Sequence, residues 1–240
     1  MNSSQAQEVA PGLVVRGFAP PLKLGSFKLI AFDMDSTLIN IECIDEIAAS
    51  VERKAEVAAI TDATMRGEIT DFKESLRRRV ALLEGVAQSD LQDVIIGRLQ
   101  LNPGARALVQ TCQQAGLKTL LVSGGFTYFT DYVSGLLRLD YARSNLLEIV
   151  NDKLTGRILD QTWGDICDGL EKQRMLLETC NTLGIAPSQA IAMGDGSNDL
   201  PMMAAAGLSV AYHAKPLVRE HAMVAINTGG LDRLLEVVQP

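Results

Sequence analysis

One device recurs along this chain: a short, mainly apolar run that stops abruptly in a polar turn. Residues 28–33 read KLIAFD. Residues 117–122 read LKTLLV and lead into Ser123-Gly124-Gly125, and residues 190–194 read AIAMG and lead into Asp195-Gly196. Runs this short, without polar alternation, fit strands covered on both faces. Residues 208–212 (LSVAY) and 222–226 (AMVAI) look like two more. Helical stretches separate most of them. One is expected over 103–115, with Asn102 as N-cap, Pro103 at its first position and Gly116 just past its end. Strands alternating with helices imply βαβ units and a parallel sheet. In such sheets, ligands bind beyond the carboxyl ends of the strands. The turns DMDST, SGG and GDGSND, far apart in sequence, are therefore expected to meet at one edge.

Residues 1–26 read as a lead-in interrupted by Pro11, Pro20 and Pro21 and loosened by Gly12, Gly17 and Gly25. It is expected to be partly disordered or draped over the core. Residues 41–100 carry no strand signal and read as amphipathic helices near 43–51, 53–66, 71–84 and 90–100. Asp71 with Glu74, and Ser89 with Gln92, have capping-box spacing. A helical block between the first and second strands is an insertion, expected to form a small cap over the site. The expected division is thus a core of 27–40 and 101–240 with a cap of 41–100. Asn151-Asp152 predicts a short hairpin within 139–160.

Charge narrows the partners. With 22 basic and 29 acidic residues, the formal net charge is -7, which argues against nucleic acid or an anionic membrane as a partner. An anionic substrate must then be captured by local cations, and a bound divalent metal would supply them. No apolar stretch of about 18 residues exists to span a bilayer, and the N-terminus lacks the pattern of a signal peptide. Cys43, Cys112, Cys167 and Cys180 form no C-x-x-C pair and no zinc spacing, as expected of reduced thiols in a cytoplasmic protein. His213 and His221 are assigned no role, and the oligomeric state is not set by the sequence.

Two acids directly after a buried strand, Asp33 and Asp35, would be costly without a partner. A hard divalent cation is the natural one, because magnesium takes one or two carboxylates plus waters and substrate phosphate. Asp195 closes a second strand in the same way, and Gly194 and Gly196 let the backbone approach it closely. Asp199 reads equally as a helix cap or as support for a metal site. Ser123-Gly124-Gly125 offers N–H groups and a hydroxyl at a strand-to-helix turn, which suits phosphate. These parts meet the needs of phosphoryl transfer: a carboxylate nucleophile, neutralised oxygens and a second carboxylate to move the proton.

The order DMDST, SGG, a Lys, then GDGSND resembles the haloacid dehalogenase superfamily of phosphatases. The resemblance runs over about residues 27 to 228 and is carried by FDMDSTLINIECIDEIA, FKESLRRRVALL and GDGSNDLPMMAAAGLSVAYHAKP. It implies a Rossmann-like α/β core with an inserted helical cap, and Mg2+ as cofactor. Asp33 would be the nucleophile and a metal ligand. Asp35 would be the general acid/base, with its backbone carbonyl on the metal, and Asp195 the third protein ligand. Ser123, Gly124 and Lys172 would hold the phosphoryl group, and Asn198 would touch it or the attacking water. The substrate's ammonium would meet Glu42 and its carboxylate Arg79, with Met65 and Phe72 lining the pocket. Phe72, Leu76 and Arg79 share one helical stripe, which separates Arg79 from Arg77 and Arg78. The implied substrate is O-phosphoserine, hydrolysed to serine and phosphate through an aspartyl-phosphate as the last step of serine biosynthesis. A phosphatase or phosphotransferase acting on another small phosphomonoester, such as phosphohomoserine, is the alternative. The Met65–Phe72 gap is one residue longer than the family pattern. Control through a long N-terminal regulatory domain, which some relatives carry, is not expected.

Overall fold

The computed structural model describes residues 6–66 and 68–239. The chain opens with β1 (Gln7–Ala10), β2 (Leu13–Val15) and β3 (Leu22–Lys23), then reaches β4 (Leu29–Phe32). Four helices follow: α1 (Cys43–Ser50), α2 (Lys54–Met65), α3 (Phe72–Ala81) and α4 (Gln88–Gly97). Helix α5 (Ala105–Gln114) leads to β5 (Lys118–Phe126) and α6 (Thr127–Leu137). A hairpin of β6 (Tyr141–Val150) and β7 (Lys153–Leu159) precedes α7 (Gly169–Leu183) and β8 (Ala190–Gly194). The chain ends through α8 (Leu200–Ala205), β9 (Leu208–Tyr212), α9 (Pro216–His221), β10 (Val224–Ile226) and β11 (Val238–Gln239).

Nine strands form one sheet in the order β1-β2-β10-β9-β8-β4-β5-β6-β7. The run from β10 to β6 is parallel throughout. Alternate residues of β4 feed different cores: Ile30 and Phe32 face one, Leu29 and Ala31 the other. Helices cover both faces, which is why the strand runs carry no polar alternation. β4 lies between β5 and β8, so the chain crosses to opposite sides of it. Its carboxyl end is the topological switch point where such sheets open a crevice.

Helices α1–α4 are inserted at one place. Ile39 and Leu101 pair across an isolated antiparallel bridge, so the chain leaves and re-enters the sheet edge side by side. Asn102 does not cap α5. Gly104, at φ 77, takes that position. The Asn102 amide instead donates to the carbonyls of Thr37 and Ile39 at 2.8 and 2.9 Å, bracing the loop after β4. Asp71 caps α3 by accepting from the Lys73 N–H, while Glu74 pairs with Arg78. At α4 the expected Ser89–Gln92 box gives way to Asp90, which accepts from the Ala87 N–H.

Two further differences concern the sheet. Residues 7–15, within the segment expected to be disordered or draped, form β1 and β2, and β2 pairs antiparallel with β10. Leu13 and Val15 are buried there with Val14 between them less so, an alternation too short to read. The hairpin at Asn151-Asp152 is long, and both turn residues adopt positive φ, 52 and 59, the geometry of a tight two-residue hairpin. No described helix is long and apolar enough to cross a membrane.

Candidate active site

The site is built on the strand ends. The Asp33 N–H donates to the Met193 carbonyl at 2.9 Å, which keeps Asp33 in register with β8. The chain then turns tightly through Met34–Leu38, with Ser36 at φ 57. Asp33 is buried. Its Oδ1 accepts from Lys172 Nζ at 2.5 Å, and the same ammonium donates to Asp199 Oδ1 at 2.6 Å. Lys172, near the start of α7, has no solvent exposure. Asp199 Oδ2 accepts from the N–H groups of Asp195 and Gly196, at 3.1 and 3.0 Å. Thr37 Oγ1 donates to Asp195 Oδ1 at 3.5 Å.

Carboxylate oxygens of Asp33, Asp195 and Asp199 all lie within 4.8 Å of one another. One ammonium does not balance three carboxylates, so the cluster keeps an excess of negative charge. Burial raises Asp33 well above the ordinary carboxylate range, and Asp199 adds to it. Burial and Asp199 likewise push Asp195 up to about 7. Burial works to lower Lys172, but Asp199 and Asp33 outweigh it and hold the ammonium charged. This all-oxygen, charge-unbalanced pocket fits a hard divalent cation. Asp199 is the least suited of the three to ligate it. Its two oxygens already accept from Lys172 and from two backbone N–H groups, so it positions Lys172 and the Asp195 backbone. Asp33 and Asp195 keep lone pairs to offer.

The Asp35 carboxylate has other partners. It accepts from the Cys43 N–H at 3.3 Å and from the Cys43 thiol at 3.1 Å, at the start of α1. Burial, then the nearby Glu42, raise it to about 7. Such a group can carry and release a proton near neutrality.

The stretch Ser123-Gly124-Gly125 stays extended inside β5 and does not form the expected strand-to-helix turn. Ser123 Oγ accepts from the Gly125 N–H at 2.8 Å, and the Gly124 carbonyl accepts from Asn145 Nδ2 at 2.7 Å. A Cβ on Gly125 would lie 3.0 Å from Ser123 Oγ and 3.3 Å from Asp35 Oδ2. One on Gly124 would lie 3.3 Å from the Phe72 ring. The backbone approach is therefore used from both sides.

These groups surround a cavity of about 340 Å³. Asp33, Asp35, Glu42, Phe72, Arg79, Ser123, Gly124, Asp195 and Asn198 all line it. Lys172 lies beneath Asp33, and the side chain of Met65 falls outside the described residues. Arg77 pairs with Asp165 and Arg78 with Glu74, both away from the cavity lining, whereas Arg79 lines it. Burial lowers the Arg79 pKa from its ordinary value, against the pull of Asp45 and Glu42. Glu42 Oε1 accepts from Ser36 Oγ at 2.6 Å.

Sequence reasoning missed several lining groups. Thr64 and Ser75 share a hydrogen bond of 2.6 Å on the helical side, near Asp45. Lys215 lines the cavity from the turn after β9. That turn is a fourth strand end, and the rule that singled out the other three could have reached it.

Residues 27–207 match the model of the haloacid dehalogenase-like hydrolases. A protein of Polaromonas sp. named phosphoserine phosphatase is 69% identical over 235 residues, covering 98% of this chain and 100% of its own. One of the same name from Albidiferax ferrireducens is 68% identical over 232 residues, covering 97% and 98%. A solved substrate-bound phosphoserine phosphatase complex aligns with a TM-score of 0.81 at 35% identity, covering 89% of this chain and 99% of that one.

Proposed function

We propose that this chain, which belongs to the haloacid dehalogenase-like hydrolases, is a phosphoserine phosphatase that hydrolyses O-phosphoserine to serine and phosphate. The observation that carries the reading is the composition of one cavity. Asp33, Asp35 and Asp195 line it together with Glu42 and Arg79. The first set, with a divalent cation, suits a phosphoryl group, the second an ammonium and a carboxylate. A phosphorylated amino acid carries all three.

In the first step, an Asp33 oxygen bonds to phosphorus as the bond from phosphorus to the serine oxygen breaks. Asp35, protonated beforehand, gives its proton to that departing oxygen. Serine leaves, and Asp33 carries the phosphoryl group. Asp35, now ionised, takes a proton from a water that attacks phosphorus. The Asp33–phosphorus bond breaks and phosphate departs, leaving Asp33 ionised and Asp35 protonated. An Asp35 pKa of about 7 suits a group that must act in both directions. Lys172, Ser123, Gly124 and Asn198 hold the phosphoryl oxygens. Asp33, Asp195 and the Asp35 backbone carbonyl would hold Mg2+, which when bound neutralises phosphoryl charge and orients the group for attack.

Arg79 is the residue to pair with a carboxylate, because its planar fork matches two oxygens. Phe72 lies against Gly124 from the helical side, and we assign residues 41–100 to a cap over the site. The reaction would complete serine biosynthesis, and four buried free thiols suit a cytoplasmic setting. Phosphate release across small phosphomonoesters, with and without Mg2+, tests the reading. Turnover should favour L-phosphoserine over phosphoethanolamine and phosphoglycolate and need the metal. Indifference to L-phosphoserine would sink it.

A further inference from the structure

The turn after β9 brings an exposed cation into the lining of the cavity. His213, at φ 43, donates its N–H to the Ile226 carbonyl at 2.8 Å. Two residues on, the Lys215 N–H donates to the Asp195 carbonyl at 3.2 Å. The Lys215 backbone is thus tied to the residue proposed to ligate the metal. Its side chain is exposed and lines the cavity. It joins none of the ion pairs formed among the described residues.

Charge makes that position consequential. Five carboxylates line the cavity, from Asp33, Asp35, Glu42, Asp45 and Asp195, against two cations, Arg79 and Lys215. Lys172 lies below the lining and is engaged by Asp33 and Asp199. Arg79 stands with Glu42 and Asp45, whose charges act on it. The whole chain carries -7. Among the cations of this lining, Lys215 is therefore the one free of a carboxylate partner and able to meet an approaching phosphate dianion, and its charge also acts on Asp195. Clefts that carry a cation where an anion must enter raise the on-rate of that anion.

We infer that Lys215 is a phosphate-capturing residue: it draws the phosphoryl end of the substrate to the strand-end cluster and pairs with inorganic phosphate until release. The inference rests on the phosphatase reading. One ammonium facing two phosphate charges across several ångströms of near-aqueous dielectric corresponds to roughly a tenfold change in association.

The test compares Lys215→Ala, Lys215→Gln and Lys215→Arg with the parent protein, in Mg2+. Initial rates with O-phosphoserine are taken over a range of ionic strengths, and inorganic phosphate binding is measured by calorimetry. Lys215→Ala and Lys215→Gln should lower kcat/KM about tenfold at low salt and weaken phosphate binding by a similar factor. The deficit should shrink as salt rises, and kcat should stay within a few-fold. Lys215→Arg should recover most of both losses. Unchanged kcat/KM and unchanged phosphate binding in the two neutral variants would overturn the inference. So would a change in apparent Mg2+ affinity at unaltered phosphate affinity, because Lys215 would then act only through Asp195. If Lys215→Ala fails to fold, Lys215→Gln and Lys215→Arg carry the comparison. A protein that binds phosphate through Lys215 yet ignores O-phosphoserine would refute the substrate reading and leave this inference standing.

Discussion

Replacing Gly194 with alanine should disable the site without altering any reacting group. A Cβ at Gly194 would stand 2.4 Å from both Cγ and Oδ2 of Asp199, and 2.5 Å from its Cβ. Carbon atoms settle at about 3.5 Å or more, so Asp199 must withdraw by about 1 Å. It is fully buried and its side chain is short, so it cannot swing aside. The retreat strains its bonds to Lys172 at 2.6 Å and to the N–H groups of Asp195 and Gly196 at 3.1 and 3.0 Å. Removing one member of a buried ion pair costs about 3–5 kcal/mol. Here the partner is displaced and Lys172 keeps Asp33, so we expect about 2–3 kcal/mol. For a chain of this size that is a fall in Tm of roughly 5–10 °C. Misplacing Lys172 and Asp195 by about 1 Å should lower kcat about 100-fold. Urea unfolding reads the first quantity and phosphate release from O-phosphoserine at saturating Mg2+ the second. Gly97→Ala is the control, because nothing lies within 4 Å of a Cβ there; it should be neutral or slightly stabilising. A Gly194→Ala protein with kcat within threefold of the parent and an unmoved unfolding midpoint would refute the role given to Asp199.

Asp33→Asn should cut turnover by about 10⁴-fold or more, as loss of a nucleophile does, and single-turnover experiments should detect no phosphoryl-enzyme. Arg79→Lys should raise KM for O-phosphoserine by about 10–100-fold with kcat nearly kept, because an ammonium cannot match the bidentate fork; phosphoethanolamine, which has no carboxylate, should show no such change. Proton release should accompany metal binding. Burial lifts Asp195 to about 7 in the metal-free protein, while its unfolded value lies near 4. Between those values the folded state holds the extra proton, so this group's contribution to metal-free stability falls as pH rises from about 4 to 7. A cation needs the ionised form, so Mg2+ affinity should weaken below pH of about 7. Calorimetry at pH 6 in buffers of different ionisation enthalpy measures the released protons, and finding none would contradict the assignment.

Strands β4, β5, β8, β9 and β10 were legible because they are covered on both faces, and β8 and β9 coincide with their apolar runs; β6, half-exposed, was read only as part of a short hairpin. The edge strands were not. Residues 7–10 read QEVA, and such a segment becomes a strand only because β10 offers an unpaired edge on which β2 docks. Local spacing also misassigned Asn102, whose amide serves two carbonyls of the loop after β4; a cap and a brace look alike in sequence. The meeting of DMDST, SGG and GDGSND in one cavity was legible from the expected topology, although SGG stays within β5 and forms no turn. Lys172 was not, since nothing in EKQRMLLETC distinguishes it from a solvated helix lysine. Only the fold reveals that it is buried between Asp33 and Asp199. Asp199 was ambiguous for the same reason: its partner lies 27 residues away in sequence.

The cavity divides its work between two parts of the fold, and the join between them has a chemical consequence. The sheet edge supplies Asp33, Ser123 and Asp195, and the inserted helices supply Phe72 and Arg79. One stretch links them. Asp33 directly follows β4, Asp35 accepts from Cys43 at the start of α1, and Glu42 accepts from Ser36. Glu42 also raises Asp35, second only to burial. An ammonium seated beside Glu42 cancels that negative charge, and Asp35 then holds its proton less tightly. Binding of the amino group would in this way ready the acid that protonates the departing oxygen. A phosphoester without an ammonium would lose more than affinity. It would meet a weaker acid and should turn over more slowly even at saturation. Adding methylammonium to the reaction of such an ester tests the linkage, because a cation at Glu42 should restore part of kcat. No restoration, in a protein that binds the ammonium, would separate recognition from proton transfer.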